Sequence, residues 1–472
     1  MSRKKKMKKT AKIFTAILLA ITTLFLILTF ILNVIPMKFM IPLIIGLILI
    51  DLILIKLMFS KKKIKHLLGS IISIILGVIM LLGATYEINT IGFFGNFGKY
   101  DYKTLNYNVI VLNDSKYDKI DDLRKKDIGI LIDDHEEDTK KAINILKENI
   151  KFNKKNYKDL NKLVEGLTTK EIDAILIEES KYTILTEENE DLASKLKVLY
   201  TYSLDVKVES IDKSVNVTKD AFNIYISGVD SYGKITSVSR SDVNIIATVN
   251  PDTNEIVLTS IPRDYYVRLH GTTGYKDKLT HAGVYGIEKS VQTLEDLLDI
   301  DINYYIKVNF TSLIKVVDEL DGIEVYSNHS FTSRDGYHYN KGYNTLNGKE
   351  ALSFVRERKA VEGGDRTRGE NQQAVLKAII DKAISPKIIT KYNSLLGALE
   401  GSFVTNMDDS DITSLIKKQL DKMEGWDISF LNLEGKDGYD YTYTHSASKL
   451  YVMIPDEESV KYVQSKLKEI LE

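Results

Sequence analysis

The chain has 472 residues, a formal net charge of −1 and no cysteine. The absence of cysteine excludes disulfides, thiolate metal sites and cysteine nucleophiles. The small net charge conceals a split, because residues 1–66 carry 13 basic residues and one acid, whereas the remainder carries 51 basic and 64 acidic residues, a net −13. Such an acidic region repels polyanions, so we exclude non-specific nucleic-acid binding and expect no nucleic-acid partner.

Three apolar runs near the amino terminus predict a membrane anchor. They cover residues 13–35, 39–59 and 67–86. Each is near the ~20 residues that a helix needs to cross the hydrocarbon core of a bilayer. A secretory signal peptide has a single, shorter run followed by a cleavage site. The three runs therefore predict transmembrane helices that the protein retains.

Loop charges predict the orientation of this anchor. Residues 1–12 form a tail with seven basic residues, and the loop after the second run holds four lysines within residues 61–65. The loop after the first run holds only Lys38. Because positively charged loops favour the cytoplasmic side, we expect a cytoplasmic amino terminus and an extracellular location after about residue 87.

The residues that follow the anchor predict a linker and a small domain. Residues 87–104 are rich in glycine, asparagine and aromatics and lack clear periodicity, which is typical of a linker. Residues 105–206 alternate short β-rich runs with amphipathic helical runs, which predicts an α/β accessory domain. This segment has no Gly-rich phosphate loop, metal-ligand pair or nucleophile motif. Its role is that of a spacer or docking domain or, alternatively, of a ligand-binding domain.

Residues 215–472 predict a second, larger α/β domain. Its pattern begins with three strands, of which the last two are joined by a turn at residues 251–254. Helices and strands then alternate, and a helix, two strands and a helix over 408–472 complete the pattern. The predicted fold class is α/β, with three N-terminal transmembrane helices, a small α/β accessory domain and an α/β/α sandwich with a mixed sheet. The predicted elements of this second domain are strands at 222–228, 242–250, 255–262, 304–310 and 322–327 and helices at 287–298, 311–320, 349–358 and 365–385.

Basic residues are concentrated around Gly363 and Gly364, between two predicted helices. An arginine's planar guanidinium binds phosphate oxygens through paired hydrogen bonds. We expect Asp365 to cap the second helix, whose free N–H groups attract anions. The alternative is a solvated, salt-bridged surface, because acidic residues are interleaved. The pattern predicts Arg356 and Arg358 on the last turn of one helix, and Arg368 and Gln372 on one face of the next.

Two aspartates at strand ends form a candidate metal site. Asp230 follows the first strand of the larger domain, and Asp242 precedes the second. Mg²⁺ prefers one or two carboxylates together with phosphate oxygens and water, so this pair suits Mg²⁺, with Mn²⁺ as the alternative. Taken singly, each aspartate is more typical of a turn or a cap.

The combination of these segments resembles the LytR-CpsA-Psr family of cell-wall enzymes. The resemblance covers roughly residues 220–385, and the three spans with an accessory domain are similar to the capsule-associated branch of that family. The motifs are ISGVDS at 226–231, SRSD at 239–242, SIPRD at 260–264 and VRERKAVEGGDRTRGENQQ at 355–373.

The resemblance implies roles for individual residues. It makes Asp230 and Asp242 the metal ligands. Asn371 stands where other members have arginine, so one phosphate contact is missing or replaced. Asp264 is a weak candidate for the general base. The implied pyrophosphate-binding residues are Arg240, Arg263, Arg356, Arg358, Arg368 and Gln372, and the implied catalytic residues are Arg240, Asp242, Arg263, Arg356 and Arg358.

The implied activity is that of a Mg²⁺-dependent phosphotransferase in the plasma membrane of a Gram-positive-type bacterium. A glycopolymer such as capsule polysaccharide or teichoic acid moves with its proximal phosphate from a polyprenyl pyrophosphate carrier to a sugar hydroxyl of peptidoglycan, and polyprenyl phosphate is released. The alternatives are a polyprenyl-pyrophosphate-binding scaffold and a pyrophosphatase. Apolar residues 313–317 and 374–380 predict core or, alternatively, a groove for the lipid. The sequence leaves the polymer and the oligomeric state open.

Overall fold

The computed structural model describes residues 3–96, 102–132, 136–187, 189–208, 211, 213–229, 235–385, 395, 397, 399–445 and 448–472. Within this part of the chain, the structure contains an anchor of apolar helices followed by two α/β units, each built on its own sheet.

The anchor consists of three helices that are long and apolar enough to cross a membrane. They pack against one another through a small core that includes Leu18, Leu47, Leu54 and Met80. Each helix begins before the corresponding predicted apolar run, because flanking lysines are good helix formers and extend it beyond the apolar stretch. The helices are α1 (Arg3–Leu32), α2 (Met37–Met58) and α3 (Lys63–Asn96).

The helix α3 occupies much of the segment that the sequence predicts as a linker. It continues to Asn96, and the next strand begins at Tyr102. Near its end, Phe93 is buried against Leu32 and Ile416. The apolar residues beyond position 86 therefore extend the helix and join the anchor to the larger α/β unit.

The first α/β unit is a five-stranded mixed sheet in the order β3-β2-β4-β1-β5. The strand β1 lies between β4 and β5 and is antiparallel to both, whereas β2 is parallel to β3 and β4. The strand β3 and the helices α6 and α7 are absent from the sequence prediction; β3 reads NKKNY, a polar composition typical of an edge strand. Its elements are β1 (Tyr102–Leu112), β2 (Asp127–Leu131), α4 (Glu136–Asn149), β3 (Asn153–Tyr157), α5 (Leu160–Thr168), β4 (Ala174–Glu178), α6 (Glu179–Glu187), α7 (Glu190–Lys195) and β5 (Leu196–Lys207).

The second α/β unit is built on a six-stranded mixed sheet in the order β16-β11-β6-β7-β8-β17. The three strands β6, β7 and β8 are antiparallel neighbours, and β7 and β8 form the hairpin that the turn at 251–254 predicts. Parallel pairing joins β11 to β6 and β17 to β8. The strands are β6 (Phe222–Val229), β7 (Val243–Asn250), β8 (Glu255–Ser260), β11 (Tyr304–Asn309), β16 (Phe403–Thr405) and β17 (Asp427–Asn432).

Helices cover both faces of this sheet. Because successive side chains of a strand point to opposite faces, Ile246 packs against one helical layer and Ile245 against the other. This arrangement is an α/β/α sandwich with a mixed sheet, which confirms the predicted fold class. The first layer contains α9 (Ile287–Leu298) and α14 (Glu457–Leu471); the second side of the domain carries α10 (Phe310–Glu319), α11 (Gly348–Arg356), α12 (Asp365–Ala383) and α13 (Asp409–Lys422).

Short two-stranded ribbons surround the rim of the sandwich. One of them adds a third strand to the segment 408–472, where the sequence predicts two. A short helix α8 (Leu279–Ala282) follows the first ribbon. The ribbons are β9 (Tyr266–Val267) with β10 (Asp277–Lys278), β12 (Ile323–Ser327) with β15 (Gly342–Leu346), β13 (Phe331–Thr332) with β14 (His338–Tyr339), and β18 (Gly435–Asp440) with β19 (Leu450–Pro455).

A backbone joint connects the two α/β units. Thr104 on β1 donates its N–H to the carbonyl of Thr236 (2.9 Å) and accepts from the N–H of Val238 (3.0 Å). Beside this joint, Lys103 forms an ion pair with the buried Glu288 (3.3 Å). The accessory unit therefore holds the segment that leads directly into Arg240 and Asp242.

Candidate active site

Asp242 and Arg263 meet at one edge of the central sheet. Asp242 immediately precedes β7, and Arg263 follows the end of β8. These two strands are antiparallel, so the beginning of one lies beside the end of the other. Arg263 Nη1 donates to Asp242 Oδ1 at 2.5 Å, and Arg263 Nε lies 3.6 Å from Asp264 Oδ2. Burial would lower the pKa of Arg263, but Asp242 and Asp264 raise it above its ordinary value.

Backbone and side-chain contacts hold Asp242 in place. Its N–H donates to the carbonyl of Gly228 (2.8 Å), and its Oδ1 also accepts from Thr280 Oγ1 at 3.4 Å. Arg240 Nη2 lies 4.0 Å from Asp242 Oδ2. The Arg240 side chain is 14% exposed, and this burial lowers the pKa of its guanidinium. A phosphate anion beside it would compensate for that lost solvation.

The loop between α11 and α12 is organised around the buried carboxylate of Glu357. This carboxylate accepts hydrogen bonds from the backbone N–H groups of Arg334, Arg358, Lys359 and Ala360 at 2.8–3.0 Å. Although burial would raise the pKa of Glu357, these four bonds hold it below its ordinary value. The result is a fixed arrangement in which Arg358 and Lys359 of the loop and the neighbouring Arg334 line the same cavity.

The position of Arg358 differs from the sequence prediction. The helix α11 ends at Arg356, and Glu357 already has an extended backbone, so Arg358 lies beyond the last turn. The turn to α12 uses positive φ angles at Gly363 (86°) and Gly364 (57°), a conformation that glycine adopts without steric cost.

The prediction that Asp365 caps α12 is wrong. Gly364 occupies the capping position and has no side chain with which to cap the helix. Asp365 is the first helical residue. Its carboxylate instead lies 2.5 Å from Arg368 Nη2, one helical turn away. Burial lowers the pKa of Arg368. Asp365 thus fixes the direction of a mostly buried guanidinium, and Gly369 allows this turn of α12 to approach Ser260 on β8 closely.

Three adjoining cavities open around these residues. The central cavity, about 240 Å³, is lined by Asp242, Arg263, Asp365, Arg368 and Gln372, among others. The basic cavity, about 460 Å³, shares Arg263 and Arg368 with it and adds Arg334, Arg356, Arg358 and Lys359. The apolar cavity, about 350 Å³, shares Asp242 and Gln372 with the central cavity.

The apolar cavity lies between the sheet and the helices α10 and α12. Its walls include Val308, Leu313, Val316, Val375 and Leu376, so parts of both apolar runs noted in the sequence contribute to a cavity. At its edge, the guanidinium carbon of Arg356 lies 4.5 Å from the ring centroid of Phe310, a cation–π arrangement. Arg356 therefore stands at the boundary between the apolar and basic cavities.

The structure brings together most of the residues that the sequence nominated. Arg263, Arg356, Arg358 and Arg368 line the basic cavity, Asp242 and Gln372 line the central cavity, and Arg240 lies next to Asp242. Gln372 also donates to the carbonyl of Val355 at 3.3 Å, which links α12 to α11. Asp230, the second predicted metal ligand, lies outside the described residues.

Two further candidate residues occupy buried positions. Asn371 is buried and donates to the carbonyl of Phe354 (3.4 Å), so it joins two helices and contributes to none of the three cavities described above. Asp264 is 3% exposed and lies 3.6 Å from both Arg263 and Lys278, so its carboxylate is enclosed by these two residues and is poorly accessible to a substrate. It serves to orient Arg263.

Sequence reasoning missed Arg334 and Lys278. Arg334 lies on the turn between β13 and β14 and reaches the basic cavity because Glu357 holds its backbone. Lys278 supports Asp264 from β10. No sequence motif predicts either residue, because each is an isolated basic residue in a turn or a two-residue strand.

The donor chemistry at Asp242 fits a hard divalent cation. A carboxylate at a strand end, surrounded by groups suited to phosphate, matches the preference of Mg²⁺ for few carboxylates plus phosphate and water oxygens. Among the described residues, no three His, Asp or Glu side chains cluster as a complete metal site. Any such ion would therefore depend on Asp242, on Asp230 and on oxygens of the substrate.

Comparison with known proteins identifies the family. A family model described as the LytR_cpsA_psr family matches residues 182–469, more than half of the chain. The chain belongs to the LytR-CpsA-Psr family. The matched range includes the sandwich up to residue 469, near the end of its last helix, and begins within α6 of the accessory unit. The motif resemblance is thereby confirmed at the level of the family.

Relatives of this LytR-CpsA-Psr protein include two Bacillus proteins that are named as transferases. The chain is 40% identical over 203 residues to the polyisoprenyl-teichoic acid–peptidoglycan teichoic acid transferase TagU of Bacillus subtilis, covering 43% of this chain and 65% of the relative. It is 36% identical over 270 residues to the protein of the same name in Bacillus licheniformis, covering 56% and 83%. A crystal structure of B. subtilis TagV is 30% identical, with a TM-score of 0.46, and covers 54% of this chain and 98% of that one.

Proposed function

We propose that this protein is a membrane-anchored phosphotransferase that moves a glycopolymer from a polyprenyl pyrophosphate carrier to a sugar hydroxyl of peptidoglycan. One observation carries the proposal: the apolar cavity meets the arginine-lined cavities at Asp242, Gln372 and Arg356. A lipid pyrophosphate has the same two parts, an apolar chain joined directly to a compact polyanion. The names of the TagU relatives specify a teichoic acid as the polymer and peptidoglycan as its destination.

The apolar cavity would hold the beginning of the polyprenyl chain. Its lining is almost entirely aliphatic, and each methylene moved from water into such a site contributes about 0.8 kcal/mol. The anchor helices would keep this cavity close to a substrate confined to the membrane. The pyrophosphate would then lie where Arg263, Arg356 and Arg368 converge.

The arginines would stabilise negative charge during the transfer. In this step the acceptor oxygen forms a bond to the phosphorus that bears the glycan, and the bond from that phosphorus to the bridging oxygen breaks. The bridging oxygen leaves as part of polyprenyl phosphate, and the acceptor hydroxyl loses its proton to the medium. Arg263 and Arg368 are already oriented by Asp242, Asp264 and Asp365, so little reorganisation is needed as charge develops.

We include Mg²⁺ in the proposal, with Mn²⁺ as a substitute. Asp242 and Asp230 would hold the ion, which when bound would neutralise charge on the phosphate oxygens.

The test uses the full chain in detergent or liposomes. The substrates are a synthetic polyprenyl-pyrophosphate glycan and soluble peptidoglycan fragments, with Mg²⁺ or with a chelator. We expect release of polyprenyl phosphate and a glycan–phosphate–peptidoglycan product, both detected by mass spectrometry and both dependent on the metal.

Three other outcomes would replace the proposal. Release of polyprenyl phosphate with no product on the acceptor indicates a pyrophosphatase. If the donor binds but no polyprenyl phosphate is released with any divalent cation, the protein is a carrier-binding scaffold. Full transfer in the presence of chelator removes the metal from the mechanism.

A further inference from the structure

The ribbon β18–β19 presents one of its faces to the central cavity. In an antiparallel ribbon, side chains of directly paired residues lie on the same face. Gly435 pairs with Pro455, Asp437 with Met453, and Tyr439 with Tyr451. Gly435 and Met453 line the central cavity. The face that carries Asp437, Tyr439 and Tyr451 is therefore continuous with the cavity wall, and we call it the tyrosine face.

Aromatic rings extend this face outward from the cavity. Tyr439 is 68% exposed, and its ring centroid lies 6.0 Å from that of Tyr451 in an edge-to-face arrangement. The hydroxyl of Tyr451 donates to Asp437 at 2.7 Å, which fixes the ring. Burial, followed by this hydrogen bond and the charges of Asp264 and Asp365, raises the pKa of Tyr451.

The ribbon is attached firmly to the site. The N–H of Met453 donates to the carbonyl of Asp264 at 2.8 Å, so β19 is joined to the residue after Arg263. On the other side of the cavity, Arg366 forms an ion pair with Glu434 at 3.0 Å. These contacts fix the distance between the tyrosine face and the phosphate-binding arginines.

Charge distinguishes the tyrosine face from the basic cavity. The basic cavity presents Arg334, Arg358 and Lys359, whose side chains form no ion pair with any carboxylate in the described part of the chain. The tyrosine face presents Asp437, whose carboxylate accepts a hydrogen bond from the neutral Tyr451 hydroxyl. An anionic polymer would be attracted to the basic cavity and repelled from the tyrosine face. The two sides of the phosphate site are thus suited to different partners.

We infer that the tyrosine face binds the acceptor glycan, with a sugar ring of a peptidoglycan strand lying against Tyr439 and Tyr451. Exposed aromatic rings offer a flat apolar surface to the C–H face of a sugar, and Asp437 is an acceptor for its hydroxyl groups. A sugar placed there can direct a hydroxyl past Gly435 and Met453 into the central cavity, opposite the lipid. The inference rests on the proposed transferase function and names the subsite of its second substrate.

The experiment measures the two substrates separately with full-length protein. Tyr439→Ala should raise the KM for a soluble peptidoglycan oligosaccharide by roughly 5- to 10-fold, as expected for loss of one aromatic contact, with little change in the KM for the lipid donor. Tyr439→Phe, which keeps the ring, should retain most of the acceptor affinity. Tyr462→Ala is the matched control, because Tyr462 is 55% exposed on α14, outside the ribbon.

Direct binding gives a second readout that does not need turnover. Calorimetric titration of the same oligosaccharide should show a weaker Kd for Tyr439→Ala and for Asp437→Asn, at unchanged thermal stability. The inference is overturned if Tyr439→Ala leaves the acceptor KM and Kd unchanged, or if it raises the donor KM instead. Failure of the transferase proposal looks different, because the unsubstituted protein would then transfer to no acceptor.

Discussion

Arg263 is held by Asp242, with Nη1 2.5 Å from Oδ1, and its Nε faces Asp264 on the other side. The guanidinium is therefore oriented from two directions before any substrate binds. An ordinary surface arginine has to lose side-chain entropy when it binds a phosphate, and this arginine has already lost it. Such pre-orientation is suited to stabilising charge that appears only during a reaction.

Replacing Arg263 by lysine should greatly reduce turnover. Lysine keeps the positive charge but lacks the planar fork that faces Asp242 and a phosphate at once. We expect a fall in kcat of roughly 10²- to 10³-fold, the usual effect of losing one oriented donor. The assay is release of polyprenyl phosphate. Arg268→Lys is the control, since Arg268 is exposed and donates only to the carbonyl of Gly274 among its described contacts. Equal rates for the two variants would remove Arg263 from the mechanism.

Glu357→Gln should loosen the loop that carries Arg356 and Arg358. An amide nitrogen cannot accept hydrogen bonds, so part of the set of four N–H donors loses its partner. Misplacement of the arginines should lower kcat by roughly 10- to 100-fold. Glu362→Gln is the control, because Glu362 is exposed in the same loop. A normal kcat in Glu357→Gln would show that the loop is held by other contacts.

The same residue predicts a pH effect on stability. The pKa of Glu357 in the folded protein lies below its ordinary value of 4.5. Its contribution to stability is therefore complete above pH 4.5 and is lost as the pH falls through the lower, folded value. The Tm of the unsubstituted protein should fall more steeply with decreasing pH in this acid range than the Tm of Glu357→Gln. Parallel curves for the two proteins would contradict the prediction.

Val316→Trp should obstruct the apolar cavity. Val316 lies on α10 and lines this cavity, so a larger ring would occupy space assigned to the lipid chain. We expect the KM for a long-chain polyprenyl donor to rise by roughly 10-fold or more, since each excluded methylene costs about 0.8 kcal/mol. A short-chain soluble donor should be affected much less. Val198→Trp, on the exposed surface of β5, is the control. Equal effects on both donors would place the lipid elsewhere.

Breaking the ion pair between Lys103 and Glu288 should destabilise the protein. Glu288 is buried, so Lys103→Met would leave its charge without a partner, at a cost of about 3–5 kcal/mol. Replacing both residues, as in Lys103→Met with Glu288→Leu, should recover much of this loss. Urea unfolding measures the free energies. Lys377→Met, which breaks an exposed pair on α12, should have a far smaller effect. Additive losses in the double variant would contradict the pairing.

The sequence predicted the sandwich from local patterns, whereas the placing of Asp242 and Arg263 in one site came from the family resemblance. Alternating apolar residues define β7 and β8, and antiparallel pairing then places these two residues at one edge. The position of Arg358 depends on a buried carboxylate that stops α11, and Arg334 reaches the cavity through a contact across 23 residues. The apolar composition of α3 also extends beyond the point at which the sequence suggested a linker. Such features arise from tertiary contacts, which residue periodicity does not encode.

The joint at Thr104 limits how the two α/β units can vary. Its hydrogen bonds with Thr236 and Val238 are made by the backbone, so they persist through side-chain substitution but not through deletion of the strand. A protein trimmed to start at residue 215 would keep every motif of the larger α/β unit. It would nevertheless lose β1, whose backbone is hydrogen-bonded to the segment that leads to Arg240. The accessory unit is consequently not independent of the segment that precedes Arg240. Insertions near β1 in one lineage would have to be matched by changes before Arg240, and swapping this unit between relatives should succeed only when both sides of the joint are transferred together.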